Sequence, residues 1–264
     1  MDRAIGVFDS GFGGLTVLGE ILKELPFENT IYFGDTAHLP YGTKSKESVI
    51  RFSLAIGDFL VRQGVKIIVV ACNTASSFAL SRLAARTRLP VIGVIEPGAR
   101  SAVKASVNRR IGIIGTEGTI KSGSYEKEIE KTGQKIRIFA QPCPLFVPLV
   151  EEGWVERKAT LLVAKEYLEP LKKERIDTLI LGCTHYPLLK NIITSVMGKE
   201  VKLIDSARET AKETKRLLVK KGLVKPEGKK SAQKYFVSDD ANKFVRFGRQ
   251  FLGRVISDIR KVDI

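Results

Sequence analysis

Read as apolar and polar positions, the chain alternates short, mostly apolar runs with longer stretches whose apolar residues recur three and four apart. The runs are AIGVF (4–8), TIYF (30–33), KIIVVA (66–71), PVIGV (90–94), IGIIG (111–115), IRIFA (136–140), TLILG (178–182), VKLI (201–204) and YFV (235–237). They predict strands. Val17, Leu18, Ile21, Leu22 and Leu25 form one helical stripe, and Val49, Phe52, Ile56, Phe59 and Leu60 form another, closed by Gly64. The stretches 157–174 and 206–221 repeat the helical period. KIIVVA is apolar on both faces, as a central strand of a parallel sheet covered by helices must be. The alternation predicts an α/β fold of doubly wound, mostly parallel sheets.

The pattern also repeats at long range. IGVFDSG (5–11) is similar to IGIIGTEG (111–118), and IVVACNTAS (68–76) to LILGCTHYP (179–187), at offsets of 106 and 111 residues. Two such offsets predict two related halves of ordinary domain size. The expected division is a first lobe of 1–96 plus 208–264 and a second of 97–207, with Glu96-Pro97 at the hand-over. Lobes so related predict pseudo-twofold symmetry; if they face one another across a cleft, Cys72 and Cys183 approach a shared ligand between them from opposite sides.

Composition narrows the class. A chain of 264 residues with 44% hydrophobic residues can fill a real core without covalent staples. Three cysteines, at 72, 143 and 183, make neither a disulfide framework nor a C-x-x-C metal site, so a reducing cytoplasmic setting is expected. The first residues carry charge and glycine where an export signal needs an apolar stretch, and no run approaches the length of a membrane span. A net charge of +15 fits a nucleic-acid partner, an acidic small molecule or a lysine-rich surface equally well. The densest basic stretch, 224–234, lacks interleaved aromatics and any nucleic-acid-binding signature, so it reads as a solvated face.

Ligands of open parallel sheets bind beyond the carboxyl ends of the strands. Four unusual segments fall there: DSGFGG (9–14), DTAHLPYG (35–42), CNTAS (72–76) and CTHYP (183–187). A free cysteine is usually a small buried hydrophobe. Cys72 is followed by Asn73 and Thr74, and Cys183 by Thr184 and His185, which marks an exit from the core toward a polar site. Cys143, between prolines, keeps the packing role. His185 is either a satisfied half-buried histidine or, two residues from Cys183 in an extended stretch, a side chain pointing the same way as the sulfur and able to exchange a proton there. His38 is either a loop-surface residue or a functional one. Asp9 and Ser10 are either helix caps or a carboxylate and a hydroxyl facing Cys72.

Familiar motifs fail. DSGFGGLT lacks the last glycine of a dinucleotide fingerprint, no phosphate-binding G-x-x-x-x-G-K occurs, Phe8 replaces the first glycine of a serine nucleophile elbow, and H-E-x-x-H is absent. Two opposed thiols instead suit inversion at carbon. A proton leaves one face while another arrives on the opposite face, and thiols near pKa 8.5 hold either state close to neutrality. Ser10, Asn73, Thr74 and Thr184 are neutral donors suited to an acid's carboxylate.

GVFDSGFGGLTVL, YFGDTAHLPYGTK, VVACNTAS, VIGVIEPG and LGCTHYPLL together resemble the cofactor-independent aspartate/glutamate racemase family, in its glutamate-specific form, over most of the chain. The resemblance implies a homodimer interconverting L- and D-glutamate for peptidoglycan, with no cofactor, no metal, no membrane and no specific nucleic acid. It makes Cys72 the base on D-glutamate and Cys183 the base on L-glutamate, with Asp9 and His185 as their respective assistants. Asp9-Ser10, Tyr41-Gly42 with Pro40 before them, Asn73-Thr74 and Thr184-His185 become substrate contacts. A site glutamate is expected in LVEEGW (149–154); Glu151 is the choice, with Glu152 left open. The rivals are an aspartate racemase of the same family, a Cys183–His185 thiol hydrolase and a basic nucleic-acid-binding module.

Overall fold

The structure, a computed structural model, describes residues 2–228, 230–253, 256 and 258–264. The chain divides into two compact units, Met1–Val94 with Ala207–Ile264, and Ile95–Ser206.

The first unit runs β1 (Ile5–Asp9), α1 (Leu15–Glu24), β2 (Thr30–Gly34), α2 (Lys46–Arg62), β3 (Ile67–Val70), α3 (Asn73–Thr87) and β4 (Val91–Gly93). The second unit begins with α4 (Ile95–Ala105) and continues through β5 (Arg110–Gly115), α5 (Glu117–Lys121), α6 (Ser124–Glu130), β6 (Arg137–Pro142), α7 (Phe146–Glu151), α8 (Lys158–Lys173), β7 (Thr178–Gly182), α9 (Lys190–Met197) and β8 (Lys202–Ile204). The chain then returns to the first unit with α10 (Ser206–Lys220), β9 (Gln233–Val237), α11 (Ala241–Leu252) and β10 (Ile259–Lys261).

Both sheets are parallel, in the orders β10-β9-β2-β1-β3-β4 and β6-β5-β7-β8. The four strands β2-β1-β3-β4 therefore match β6-β5-β7-β8 place for place. The pairs joined by sequence similarity, β1 with β5 and β3 with β7, occupy the two inner positions of each. Every residue of β1, β3 and β7 is buried, which is why those segments read as unbroken apolar runs.

Local signals set the helix ends. Ser45 caps α2 by accepting from the Ser48 N–H at 3.3 Å, with Glu47 in the first turn and Arg62 in the last. Gly64 follows at φ +72, a left-handed conformation that costs glycine nothing.

Three features depart from the pattern. Glu96-Pro97 lies inside α4, so the crossing falls at Val94–Ile95. Among the described residues β10, reading IRK, pairs with β9 alone, and its last two residues are exposed, so it carries too little apolar signal to be recognised. In the basic stretch expected to be solvated, Lys225 is buried. Its Nζ donates to Asn29 Oδ1 and the Lys230 carbonyl, each at 2.9 Å, and its N–H donates to Glu28 Oε1 at 2.8 Å. The buried Lys66 completes the cluster, donating to Glu28 Oε2 at 2.5 Å and the Leu223 carbonyl at 2.7 Å. Lys229 of that stretch lies outside the described residues. Among the described residues, no helix is long and apolar enough to cross a membrane.

Candidate active site

In the first unit, Asp9 ends β1 and Cys72 follows β3, the neighbouring strand, whose next residue donates from Ala71 N–H to the Phe8 carbonyl at 2.8 Å. Asp9 is fully buried and its Oδ2 accepts from the Gly11 N–H at 2.9 Å, which turns the chain sharply away from the strand. Glycine at position 14 is required by this turn, since a β-carbon there would lie 2.4 Å from Asp9 Cβ and 2.9 Å from the Tyr32 hydroxyl. Tyr32 holds the same loop by donating to the Gly11 carbonyl at 3.0 Å. Burial, then the charges of Asp9 and Cys72, push its hydroxyl well above the ordinary range, so it stays a neutral donor.

Cys72 occupies the N-cap of α3, and its Sγ accepts from the Ala75 N–H at 3.5 Å. A helix N-terminus of this length favours negative charge on the sulfur. Asn73 and Thr74 form the first turn and are buried with it. Ser10 is half-buried beside Asp9.

The 35–42 loop is built on Asp35, a residue the motif reading passed over. Its fully buried carboxylate accepts from Tyr41 Oη at 2.5 Å and Ser238 Oγ at 2.7 Å, and faces His38 Nδ1 at 2.9 Å. The Tyr41 hydroxyl thus donates its hydrogen bond within the loop, and the ring is buried with it. His38 is stacked on Phe52 at 4.0 Å and supports the loop. Gly42 is buried, Pro40 is half-buried, and the Leu39–Pro40 peptide bond is cis.

Both loops are braced from the end of the chain. Ser238, just past β9, accepts from the Ala37 N–H at 2.9 Å while donating to Asp35. Phe12 of the first loop packs against Phe247 and Phe244 of α11, with ring centroids 4.4 and 5.9 Å apart.

In the second unit, Cys183 follows β7, the strand equivalent to β3. No long helix starts here; the chain makes a short 3-10 turn at Tyr186–Leu189. The electrostatic support comes instead from a side chain. His185 Nδ1 lies 3.9 Å from Cys183 Sγ and its Nε2 lies 3.2 Å from Glu151 Oε1. Burial pulls the imidazole pKa down, but the bonds and charges of Cys183 and Glu151 outweigh it and raise it to about 10. The ring is therefore a cation beside the sulfur near neutral pH. Of the two glutamates, Glu151 reaches His185, because it ends α7 facing inward while Glu152 is exposed. By the repeat offset of 111, His185 corresponds to Thr74 and Thr184 to Asn73. Equivalent sulfurs thus have unlike neighbours: a helix terminus for one, an imidazolium for the other. Thr184 is buried next to Cys183.

Cys143 is fully buried, with its Sγ 3.7 Å from the Gln141 carbonyl, and burial pushes its thiol far above the ordinary range. Thr116 and Thr119, joined at 3.1 Å past the end of β5, were missed in the motifs. The repeat could have flagged them, since Thr116 stands where Ser10 stands in the first unit. No group of three or more His, Cys, Asp or Glu side chains suited to a metal occurs among the described residues.

The Asp/Glu/Hydantoin racemase family model matches residues 5–214. The chain belongs to this family. It is 52% identical to a glutamate racemase of Geobacter metallireducens over 99% of this chain and 97% of that one. Among solved structures it is similar to a glutamate racemase isoform of Bacillus anthracis, at 40% identity and TM-score 0.95, covering 99% and 98% of the two chains. It is also similar to the Francisella tularensis glutamate racemase solved with D-glutamate, at 39% identity, TM-score 0.93 and the same coverage. The family match spans both units of the chain, so it takes in both cysteine-bearing strand ends.

Proposed function

We infer that this chain is a glutamate racemase in which Cys72 and Cys183 are the two bases. The observation that carries the reading is their equivalence: each sulfur follows an inner strand of a sheet with the same order, one capping a helix and the other facing an imidazole. Its substrate, glutamate, is that of the relatives at 52% and 40% identity.

One thiolate removes the α-proton and becomes a thiol, and the C–H electron pair passes to the α-carbon and its carboxylate. The other thiol then gives its proton to the opposite face and becomes the thiolate. Cys183 acts on L-glutamate with His185 beside it, and Cys72 acts on D-glutamate with Asp9 beside it. Glu151 orients the His185 ring. The neutral donors Ser10, Asn73, Thr74 and Thr184 and the backbone at Pro40, Tyr41 and Gly42 hold the substrate, adding no charge that would fix the carbanion on one side. No cofactor or metal takes part. The product supplies D-glutamate for peptidoglycan in the cytoplasm, and the working form is a homodimer.

The line Cys183–His185–Glu151 also fits a thiol nucleophile, but that reading leaves Cys72 without a task. One experiment separates them. In D2O, without pyridoxal phosphate or added metal, the protein exchanges the α-hydrogen of both glutamate enantiomers and racemises them faster than the aspartates. Cys72→Ala and Cys183→Ala each abolish racemisation. A Cys72→Ala variant keeping most of the activity would overturn the two-base scheme, and size-exclusion light scattering checks the dimer.

A further inference from the structure

The chain crosses between its units twice, at Val94–Ile95 and at Ser206–Ala207. Inside the second unit, both crossing segments reach one side chain that no motif singled out. Tyr125 of α6 is 1% exposed, and its hydroxyl is hydrogen-bonded to Ser206, the last residue before the return. Gly98, in the helix that begins at the first crossing, lies against the same group. A β-carbon there would be 3.2 Å from Ser206 Cβ and 3.4 Å from both the ring and the hydroxyl of Tyr125.

The third contact of Tyr125 is with the strand end that carries the thiol. Gly182 immediately precedes Cys183, and a β-carbon at 182 would lie 3.2 Å from Tyr125 Cε2 and 2.7 Å from the Ile114 carbonyl. The ring is thus packed between two positions that only glycine fills without displacement. Burial raises the hydroxyl pKa; the Ser206 bond opposes that, and the charges of Asp205 and Cys183 add to it. The hydroxyl therefore remains neutral.

We propose that Tyr125 is a positioning residue for Cys183, keying the end of β7 to both crossing segments through Gly182, Gly98 and Ser206. The role rests on Cys183 being one of the two bases. Tyr125 contacts Gly182, Gly98 and Ser206 around the strand end that carries the sulfur. It sets where the sulfur stands, and a displacement of about 1 Å in such a group costs up to a hundredfold in rate.

The test must say which thiol has been disturbed. Enantiomers are equal in free energy, so kcat/KM is the same in both directions for any variant and is blind to that question. Primary isotope effects are not, because α-deuterated L-glutamate reports abstraction by Cys183 and α-deuterated D-glutamate reports abstraction by Cys72. Tyr125→Phe is expected to lower kcat/KM about tenfold, to raise the isotope effect with L-glutamate and to lower it with D-glutamate. Ser206→Ala removes the same bond from the other partner and should reproduce both shifts. It also serves as the second probe should Tyr125→Phe fold poorly. The double variant should lose no more than about twofold beyond the worse single one, as expected for partners in one bond. Isotope effects that stay at wild-type values, or that move together in one sense, overturn the proposal while leaving the two-base reading intact. Racemisation that survives Cys183→Ala removes that reading and this role with it.

Discussion

His185→Asn is the most informative single change at the site. The ring is buried, 3.9 Å from Cys183 and 3.2 Å from Glu151, and its pKa is raised to about 10 from an ordinary 6.5. That interval corresponds to on the order of 5 kcal/mol favouring the imidazolium in the folded chain, an upper limit because the unfolded chain is not free of neighbours. The folded value is the raised one, so the contribution is complete below pH 6.5. It is lost as pH climbs through about 10, by about 1.4 kcal/mol per pH step between them. Urea unfolding of wild type and variant at pH 6, 8 and 10 measures it directly. The wild-type advantage should be largest at pH 6, smaller at pH 8 and nearly gone at pH 10. Racemisation followed by circular dichroism should show kcat reduced about a hundredfold, the lower end for a lost acid–base partner, with KM little changed. A stability advantage that is flat with pH, or that grows from pH 6 to 10, would refute the account of a cation held by its bonds to Cys183 and Glu151.

Three further expectations concern the supports of the site. Glu28→Ala leaves the Lys66 ammonium buried with only the Leu223 carbonyl, and should cost about 3–5 kcal/mol, lowering Tm by about 10 °C; a loss under about 1 kcal/mol in calorimetry and urea titration would show the pair is not buried as described. Gly14→Ala would force a β-carbon to within 2.4 Å of Asp9 Cβ, so racemisation should fall at least about tenfold even in soluble, folded protein, and unchanged kinetics would contradict the turn. Cys143 should stay unreactive toward a thiol reagent until urea unfolds the chain, while glutamate slows the labelling of Cys72 and Cys183; rapid native labelling at Cys143, read by peptide mass spectrometry, would count against its burial.

What was legible in the chain is what nearest neighbours decide. A strand buried on both faces must be apolar at every position, so β1, β3 and β7 announced themselves, and polar residues directly after β3 and β7 announced the two cysteines. The largely exposed IRK of β10 carries no such obligation and passed unseen. The repeat was readable because equivalent strands in equivalent sheet positions face the same packing demands. Partnerships between distant residues were another matter. Glu151 and Glu152 are indistinguishable as letters, and only the direction in which α7 ends sends the first to His185. Asp35 looks like any loop aspartate until Ser238, some 200 positions later, arrives just past β9 to share it. Phe12 gains its place only when α11 folds back over it. Lys225 looked solvated because lysine usually is, and burial became tolerable only where Glu28, Asn29 and the Lys230 carbonyl converge. Sequence patterns report the environment that each residue needs, whereas hydrogen bonds and charge pairs across the fold depend on which elements come to lie side by side, and that is decided by the packing of the whole chain.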